Sequence, residues 1–386
     1  MKVYMDHAAT TPMYEEAITV MTDYMRQHFG NPSSLHHWGG EAKEALELAR
    51  SQVAGLIQAD PKEIYFTSGG TEADNLAIFG AAEVGAKQGK KHIITSAVEH
   101  HAVLDTCREL EQRGYALSVL PVDEYGMVQP ESLAAALRDN TALVSIMHAN
   151  NEVGTVNPIP ELAALAHQAG AVFHTDAVQS VGKIACTIPE LGVDLLTYSS
   201  HKINGPKGVG ALYVRTGLEL DRQVFGGGQE RKLRSGTENM PGIVGFGKAA
   251  ELTAAHWQEH AAAWKQLRDS LVEQVSQIPY SYLNGHPTAR LPHNANFSFD
   301  YIEGEALLLH LDLSGIACSS GSACSSGESA PSHVLTAMGL TSYRLHSALR
   351  FALGLGVDQA QVDYVAQTLQ SKVSLLRAAS PFYPGK

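Results

Sequence analysis

Cysteine is scarce in this chain. Four cysteines in 386 residues, Cys107, Cys186, Cys318 and Cys324, are too few for a disulfide scaffold, and their sparseness points to a reducing cytoplasm. Positive charge is also in short supply. Lys and Arg number 28 against 40 Asp and Glu, a net charge of −12, and no Lys/Arg-rich run interrupts that balance. Nucleic acid is therefore excluded as a direct ligand, while a basic protein partner stays open. No apolar run approaches the length needed to span a bilayer, so no membrane is expected. The opening MKVYMDHAATTP has no apolar core and carries Asp6, unlike a signal peptide. There is no HExxH or CxxC motif, and most of the 18 histidines stand singly. The pairs His36-His37 and His100-His101 read as polar-site or surface residues, and no metal is expected. Internal repeats and low-complexity tails are absent as well. What remains is an ordinary globular composition, 44% hydrophobic, in a chain long enough for two domains and a large core.

Residues 193–214, VDLLTYSSHKINGPKGVGALYV, hold the densest chemistry. A short apolar run reads as a buried strand, and Ser199, Ser200, His201 and Lys202 fall at its end. A sharp Asn-Gly-Pro turn follows, and 211–214 begin another strand. Desolvation beside other cations makes a lysine amine nucleophilic and able to form a Schiff base. Taken alone, the stretch reads equally well as an exposed loop lysine in a Gly-rich turn. Residues 171–179, AVFHTDAVQ, place Asp176 at the end of a second apolar strand, three residues before Gln179. In an open α/β sheet, ligands bind outside the carboxyl ends of the strands. Pyridoxal phosphate needs such a pair: a lysine for the imine and an acid that keeps the pyridine nitrogen protonated. Asp176 taken alone reads as a helix N-cap. Residues 63–77, EIYFTSGGTEADNLA, give a strand, a Gly-Gly turn and a helix beginning near Thr71, and such a helix N-terminus holds phosphate. Together the three stretches spell a pyridoxal phosphate enzyme.

The rest of the chain supplies the frame. Strands are expected at 64–67, 92–95, 116–120, 143–147, 172–175 and 195–198, with helices at 75–86, 103–113, 131–138 and 159–168 between them. That alternation implies an α/β fold with a mainly parallel sheet and helices on both faces. Before it, helices are expected at 14–28 and 41–57. His100 follows one strand end, where it becomes a candidate general acid/base or ring-stacking group; HANNE at 148–152 follows another. The Gly-rich, polar stretch 225–239 reads as a functional or interface loop, or as a flexible connection. A long amphipathic helix is expected over 255–278, with Trp257, Trp264, Leu267, Leu271 and Val275 on one stripe. The domain boundary is placed there, giving a large domain at 13–254 and a small domain from 1–12 and 255–386. The small domain carries a small-residue loop at 316–329, and further on a strand near 349–353 and helices at 333–338 and 357–377 are expected.

These motifs resemble the cysteine desulfurases of the NifS/IscS type, in the class V branch of fold-type I pyridoxal phosphate enzymes. The resemblance runs nearly end to end: YMDHAATTP, FGNPSSLH, FTSGGTEADN, EHHAVLD, HANNEVG, HTDAVQ, SSHKINGPKGVGALYV, RSGTEN, SSGSACSSG and LRFALG, in that order. It implies a large domain with a seven-stranded-type, mainly parallel sheet sandwiched by helices, plus a smaller α+β domain. It implies that Lys202 carries the cofactor and moves protons, that His100 stacks on the ring, that Asp176 pairs with its nitrogen and that Gln179 bonds its phenolic oxygen. Gly70, Thr71, Ser199 and His201 hold the phosphate, with Thr237 reaching in from the other subunit of a homodimer. Asn151 and Arg350 bind the carboxylate of L-cysteine, and Cys324 takes the sulfur as a persulfide, releasing alanine. Cys318 stands where the family usually has a small or aliphatic residue. The extended docking tail of the group is short or absent, which leaves the acceptor open between an iron–sulfur scaffold and a tRNA-thiolating enzyme. Two other readings stand beside this one. A selenocysteine lyase or aminotransferase shares the fold, although an aminotransferase needs no thiol at Cys324. A non-catalytic docking scaffold would not need Lys202, Asp176 and His100 together.

Overall fold

A computed structural model describes residues 1–320 and 331–384. Its centre is a seven-stranded sheet. Across the sheet the strands run Ile64–Thr67, Gly210–Val214, Leu195–Ser199, Val172–Asp176, Thr141–Ser145, His92–Ser96 and Ala116–Leu120. Five of them are parallel neighbours, and Gly210–Val214 alone runs against both of its neighbours. Most of these strands are buried along their whole length, as their unalternating apolar composition requires. Helices Gly70–Lys87, His101–Gln112 and Ile159–Gln168 connect them. A mainly parallel α/β sheet is thus the observed fold.

A second sheet is antiparallel, in the order Ser319–Ser320, Leu349–Ala352, Asn294–Phe299, Ser281–Asn284. It packs with helices Gly304–Asp312 and Gln359–Ala379 around Phe297, Phe299, Phe351, Leu307 and Leu369. The N-terminal strand Val3–Tyr4 pairs in parallel with Ile316–Ala317. The first residues of the expected loop 316–329 are therefore strand, and its remainder from 321 lies outside the described residues.

Several helices differ from expectation, among them the one expected at 75–86, which spans Gly70–Lys87. The second helix of the chain begins at His37, not at 41, because His36 caps it by accepting from the Gly39 N–H at 3.2 Å. The long helix expected from 255 begins at Met240 and runs 37 residues to Ser276. Its first turns carry Pro241, Gly242, Gly245 and Gly247, which read as breakers in sequence. Proline is tolerated in a first turn. A Cβ at Gly247 would lie 2.8 Å from the Ala49 Cα, and one at Gly245 2.5 Å from the Met21 side chain, so these glycines permit close helix packing. The 225–239 stretch is pinned as well: Glu230 forms two 2.8 Å contacts with the Arg50 guanidinium and accepts from the Phe66 N–H, all buried. Breaking such a buried pair costs about 3–5 kcal/mol. To make that contact, Glu230, Arg231 and Lys232 adopt φ of 43, 54 and 70°. Among the described residues no helix is long and apolar enough to cross a membrane.

Candidate active site

Parallel strands deliver their C-terminal ends to one edge, and the chemistry-bearing residues collect there. Asp176 ends the strand Val172–Asp176 and lies opposite Thr197 of the adjacent strand, whose continuation through Ser199 leads into the short turn Ser200–Lys202. His100 follows the strand His92–Ser96 and caps the helix His101–Gln112. The segment 148–152 follows Thr141–Ser145.

Lys202 donates from Nζ to the carbonyls of Ala8 at 2.5 Å and Ala9 at 2.9 Å. The N-terminal DHAATT segment is therefore a wall of the site. Ala8 O also accepts from Gln179 Nε2 at 2.9 Å, leaving Gln179 Oε1 buried with no hydrogen bond. Asp176 Oδ1 accepts from the Val178 N–H at 2.9 Å. Burial pushes its carboxyl up to about 6, although Lys202 draws it down. His100 Nδ1 accepts from the Ala102 N–H at 3.1 Å, so the ring proton of the neutral imidazole sits on Nε2. Burial first, then Lys202 and His101, hold His100 at about 4.

The phosphate-type donors lie next to these groups. Gly70 opens the helix Gly70–Lys87, with Thr71 following. A Cβ at Gly70 would meet Val178 at 3.0 Å and Ser199 at 3.8 Å, so bare backbone N–H groups face the strand ends. Ser199 Oγ is buried without a hydrogen bond. His201 Nδ1 lies 3.1 Å from Thr10 Oγ1, and burial and then Lys202 hold the ring at about 4. The set fits pyridoxal phosphate: an acid for the ring nitrogen, a lysine between, an unsatisfied amide oxygen and hydroxyl, and a glycine-lined helix N-terminus for the phosphate.

Arg350 enters from the second sheet. Its Nη2 pairs with Asp6 Oδ1 at 2.9 Å and its Nη1 donates to Asn151 O at 2.9 Å, while Nε is buried without a hydrogen bond. Asn151 thus meets Arg350 through its carbonyl. Thr237 is exposed in the stretch that the 2.6 Å Arg234–Glu72 pair holds against the chain. Cys324 lies outside the described residues. Cys318 is half-buried between Ile316–Ala317 and Ser319–Ser320, and burial, then Asp6, push its thiol far above the usual range. Among the described residues no group of His, Cys, Asp and Glu is arranged to hold a metal. Sequence reading missed Asp6, which is half-buried against Arg350, and Asp74 and Lys183, whose burial only packing reveals.

The sheet, its strand-end lysine and acid, and the glycine-led helix define a fold-type I pyridoxal phosphate enzyme. The model of the class-V aminotransferase family matches residues 3–365. A cysteine desulfurase IscS of Methanosarcina thermophila is 50% identical over 382 residues, covering 99% of this chain and 94% of that protein. Among solved structures, a NifS-like protein superposes with a TM-score of 0.92 at 37% identity, over 97% of this chain and 100% of the other. SspA, in complex with cysteine, gives 0.81 at 35% identity, over 91% and 99%. The chain belongs to the cysteine desulfurase family of class-V, pyridoxal phosphate-dependent enzymes.

Proposed function

We propose that this protein is a cysteine desulfurase that converts L-cysteine to L-alanine and hands the sulfur to an acceptor protein. The observation that carries the reading is the meeting of Asp176 and Lys202 at the strand ends of the large sheet, with Arg350 of the second sheet reaching Asn151 O in the segment after a neighbouring strand. Asp176 and the N-terminus of the Gly70 helix would hold pyridoxal phosphate, which would supply an electron sink for the bonds at the substrate Cα and Cβ. The Arg350 guanidinium, half satisfied by Asp6 and Asn151 O, presents the positive charge that a substrate carboxylate requires. Lys202 Nζ holds and moves the proton at Cα. His100, neutral and protonated at Nε2, stacks on the ring and takes part in proton transfer in this reading. The Cys324 thiolate attacks the substrate Sγ: the new S–S bond forms, the Cβ–Sγ bond breaks, and its electron pair stays on carbon, which takes a proton to become the alanine methyl.

A homodimer, each site completed by Thr237 of the partner subunit, accounts for an exposed threonine in a polar stretch pinned by the buried Glu230. The acidic net charge suits a basic acceptor, either an iron–sulfur scaffold or a tRNA thiouridylase, in the cytoplasm. The test is alanine release from cysteine with no keto acid present, followed by peptide mass mapping. The extra sulfur is expected on Cys324. Cys324→Ala abolishes it, and Cys318→Ala leaves activity largely intact. Sulfur on Cys318, or a keto-acid requirement, overturns the assignment.

A further inference from the structure

Three carboxyl groups are buried at the ring-nitrogen end of the site, and the chemistry above uses one of them. Asp74 is 1%, Glu99 0% and Asp176 6% exposed. Asp74 comes from the helix Gly70–Lys87 and lies against the hydroxyl of Thr197, the cross-strand neighbour of Asp176. Thr197 Oγ1 is 3.1 Å from His174 Nε2, and His174 Nδ1 is 2.8 Å from Ser145 Oγ. His174 therefore spends both ring nitrogens on hydroxyls. Its Nε2 stands 3.6 Å from Asp74 Oδ1, an oxygen with no hydrogen bond.

An ionised Asp74 would be a buried charge with no cation paired to it and a second carboxylate close by. Two carboxylates in one desolvated place do not both ionise. Burial, then Asp176, push the Asp74 carboxyl up against the opposing pull of the Thr197 hydroxyl, and the titratable groups around it add no cation. Glu99, which accepts from Ser96 Oγ and the Met147 N–H, is pushed up to about 8 by burial. The Cys107 thiol, on the helix His101–Gln112, is pushed up to about 12. Burial holds His174 neutral, near 3. Among the described residues the cation that acts on Asp176 is Lys202.

We propose that Asp74 is a positioning residue for Asp176: it keeps its proton, donates it to Thr197 Oγ1, and leaves Asp176 as the negative charge that meets the cofactor nitrogen. The proton order follows. Thr197 donates to His174 Nε2, and His174 Nδ1–H donates to Ser145, so every member of the row is neutral. Reversing the charges would place the anion on Asp74, behind Asp176, and leave Asp176 protonated and unable to hold a pyridinium. The inference rests on the reading of Asp176 as the ring-nitrogen acid.

Infrared difference spectra of the apo-protein at neutral pH test it. Wild type is expected to show a protonated-carboxyl band that Asp74→Asn removes, while the Glu99 contribution stays. Asp74→Asn mimics the protonated acid, so cofactor affinity stays within about twofold and the absorbance–pH titration of the bound cofactor is unshifted. If Asp74→Asn does not fold, carboxyl NMR of Asp-labelled wild-type apo-protein, with Thr197→Val to mark the resonance, reads the same proton. An ionised Asp74 at neutral pH, or an Asp74→Asn titration shifted as far as that of Asp176→Asn, overturns the proposal. Should Asp176→Asn itself leave the cofactor titration unmoved, the reading of Asp176 fails, whatever the Asp74 band shows.

Discussion

The two flanks of the Lys202 turn bury groups of opposite kind. On one side stand Asp176, Asp74 and Glu99. On the other stand His201, Lys183, His7 and His293, of which the last three are 4%, 2% and 0% exposed. Lys183 Nζ donates to Gln179 O at 3.3 Å, and burial, then Lys202, bring it down to about 7. His293 has neither ring nitrogen bonded, and burial holds it well below its ordinary value. Desolvation moves acids up and bases down, so both flanks tend to neutrality before any ligand arrives. The difference lies in what each flank accepts when a charged ligand arrives. In the proposed reading the acid flank yields a carboxylate to a ring cation, and His201 of the other flank joins Gly70, Thr71 and Ser199 in holding the phosphate.

Removing the group between the flanks should have the largest effect. Lys202→Ala is expected to lower alanine production by more than about 10³-fold, since nucleophile and proton carrier vanish together. Residual turnover near wild type would break the comparison outright. Asp176→Asn follows: the cofactor still binds through the opposite flank, but turnover falls by roughly 10²-fold because the ring nitrogen loses its countercharge. Absorbance and kcat, measured on the same sample, separate binding from chemistry. Arg350→Gln, outside both flanks, should raise KM for cysteine by about 10- to 100-fold, the worth of a charge-assisted hydrogen bond, and leave cofactor affinity unchanged.

The smallest effect sharpens the comparison without touching chemistry. The folded-state value for Lys183, about 7, lies below the ordinary lysine value of 10.5. Between those two values the unfolded chain binds the extra proton, so this residue makes stability rise with pH across that window. Below about 7 both states are charged and the full penalty of the buried ammonium applies. Lys183→Met should flatten the rise in apo-protein Tm between neutral and alkaline pH. An unchanged slope would mean that Lys183 is charged in the folded protein.

Lys202 and Asp176 were legible because each ends an apolar run, where a charge has no business unless the strand end is a site. Asp74 was not legible. In TEADNLA it occupies what looks like the polar face of a helix, and only the seating of that helix on the sheet buries it. A Cβ at Gly85 would lie 2.5 Å from the Ala142 Cβ, a measure of how close the seating is. The helix Met240–Ser276 was half legible. Its apolar stripe from 257 onward showed, but glycines that serve contact look the same in sequence as glycines that end helices. The pinning of 225–239 by Glu230 depends on a contact with Arg50, 180 residues away, which no local pattern encodes.

The N-terminal wall of the site has a consequence for biogenesis. Val3–Tyr4 needs Ile316–Ala317 as its partner, and His7 bonds Ala352, a separation of 345 residues. The carbonyls of Ala8 and Ala9 that seat Lys202 belong to this same short segment. During synthesis, residues 3–9 wait on the ribosome's output of the strand that anchors them. The large sheet is able to form before that strand appears, yet its lysine has no seat. Cofactor capture is thereby delayed until the chain is almost entirely made, and a nascent or C-terminally broken molecule is denied a finished site.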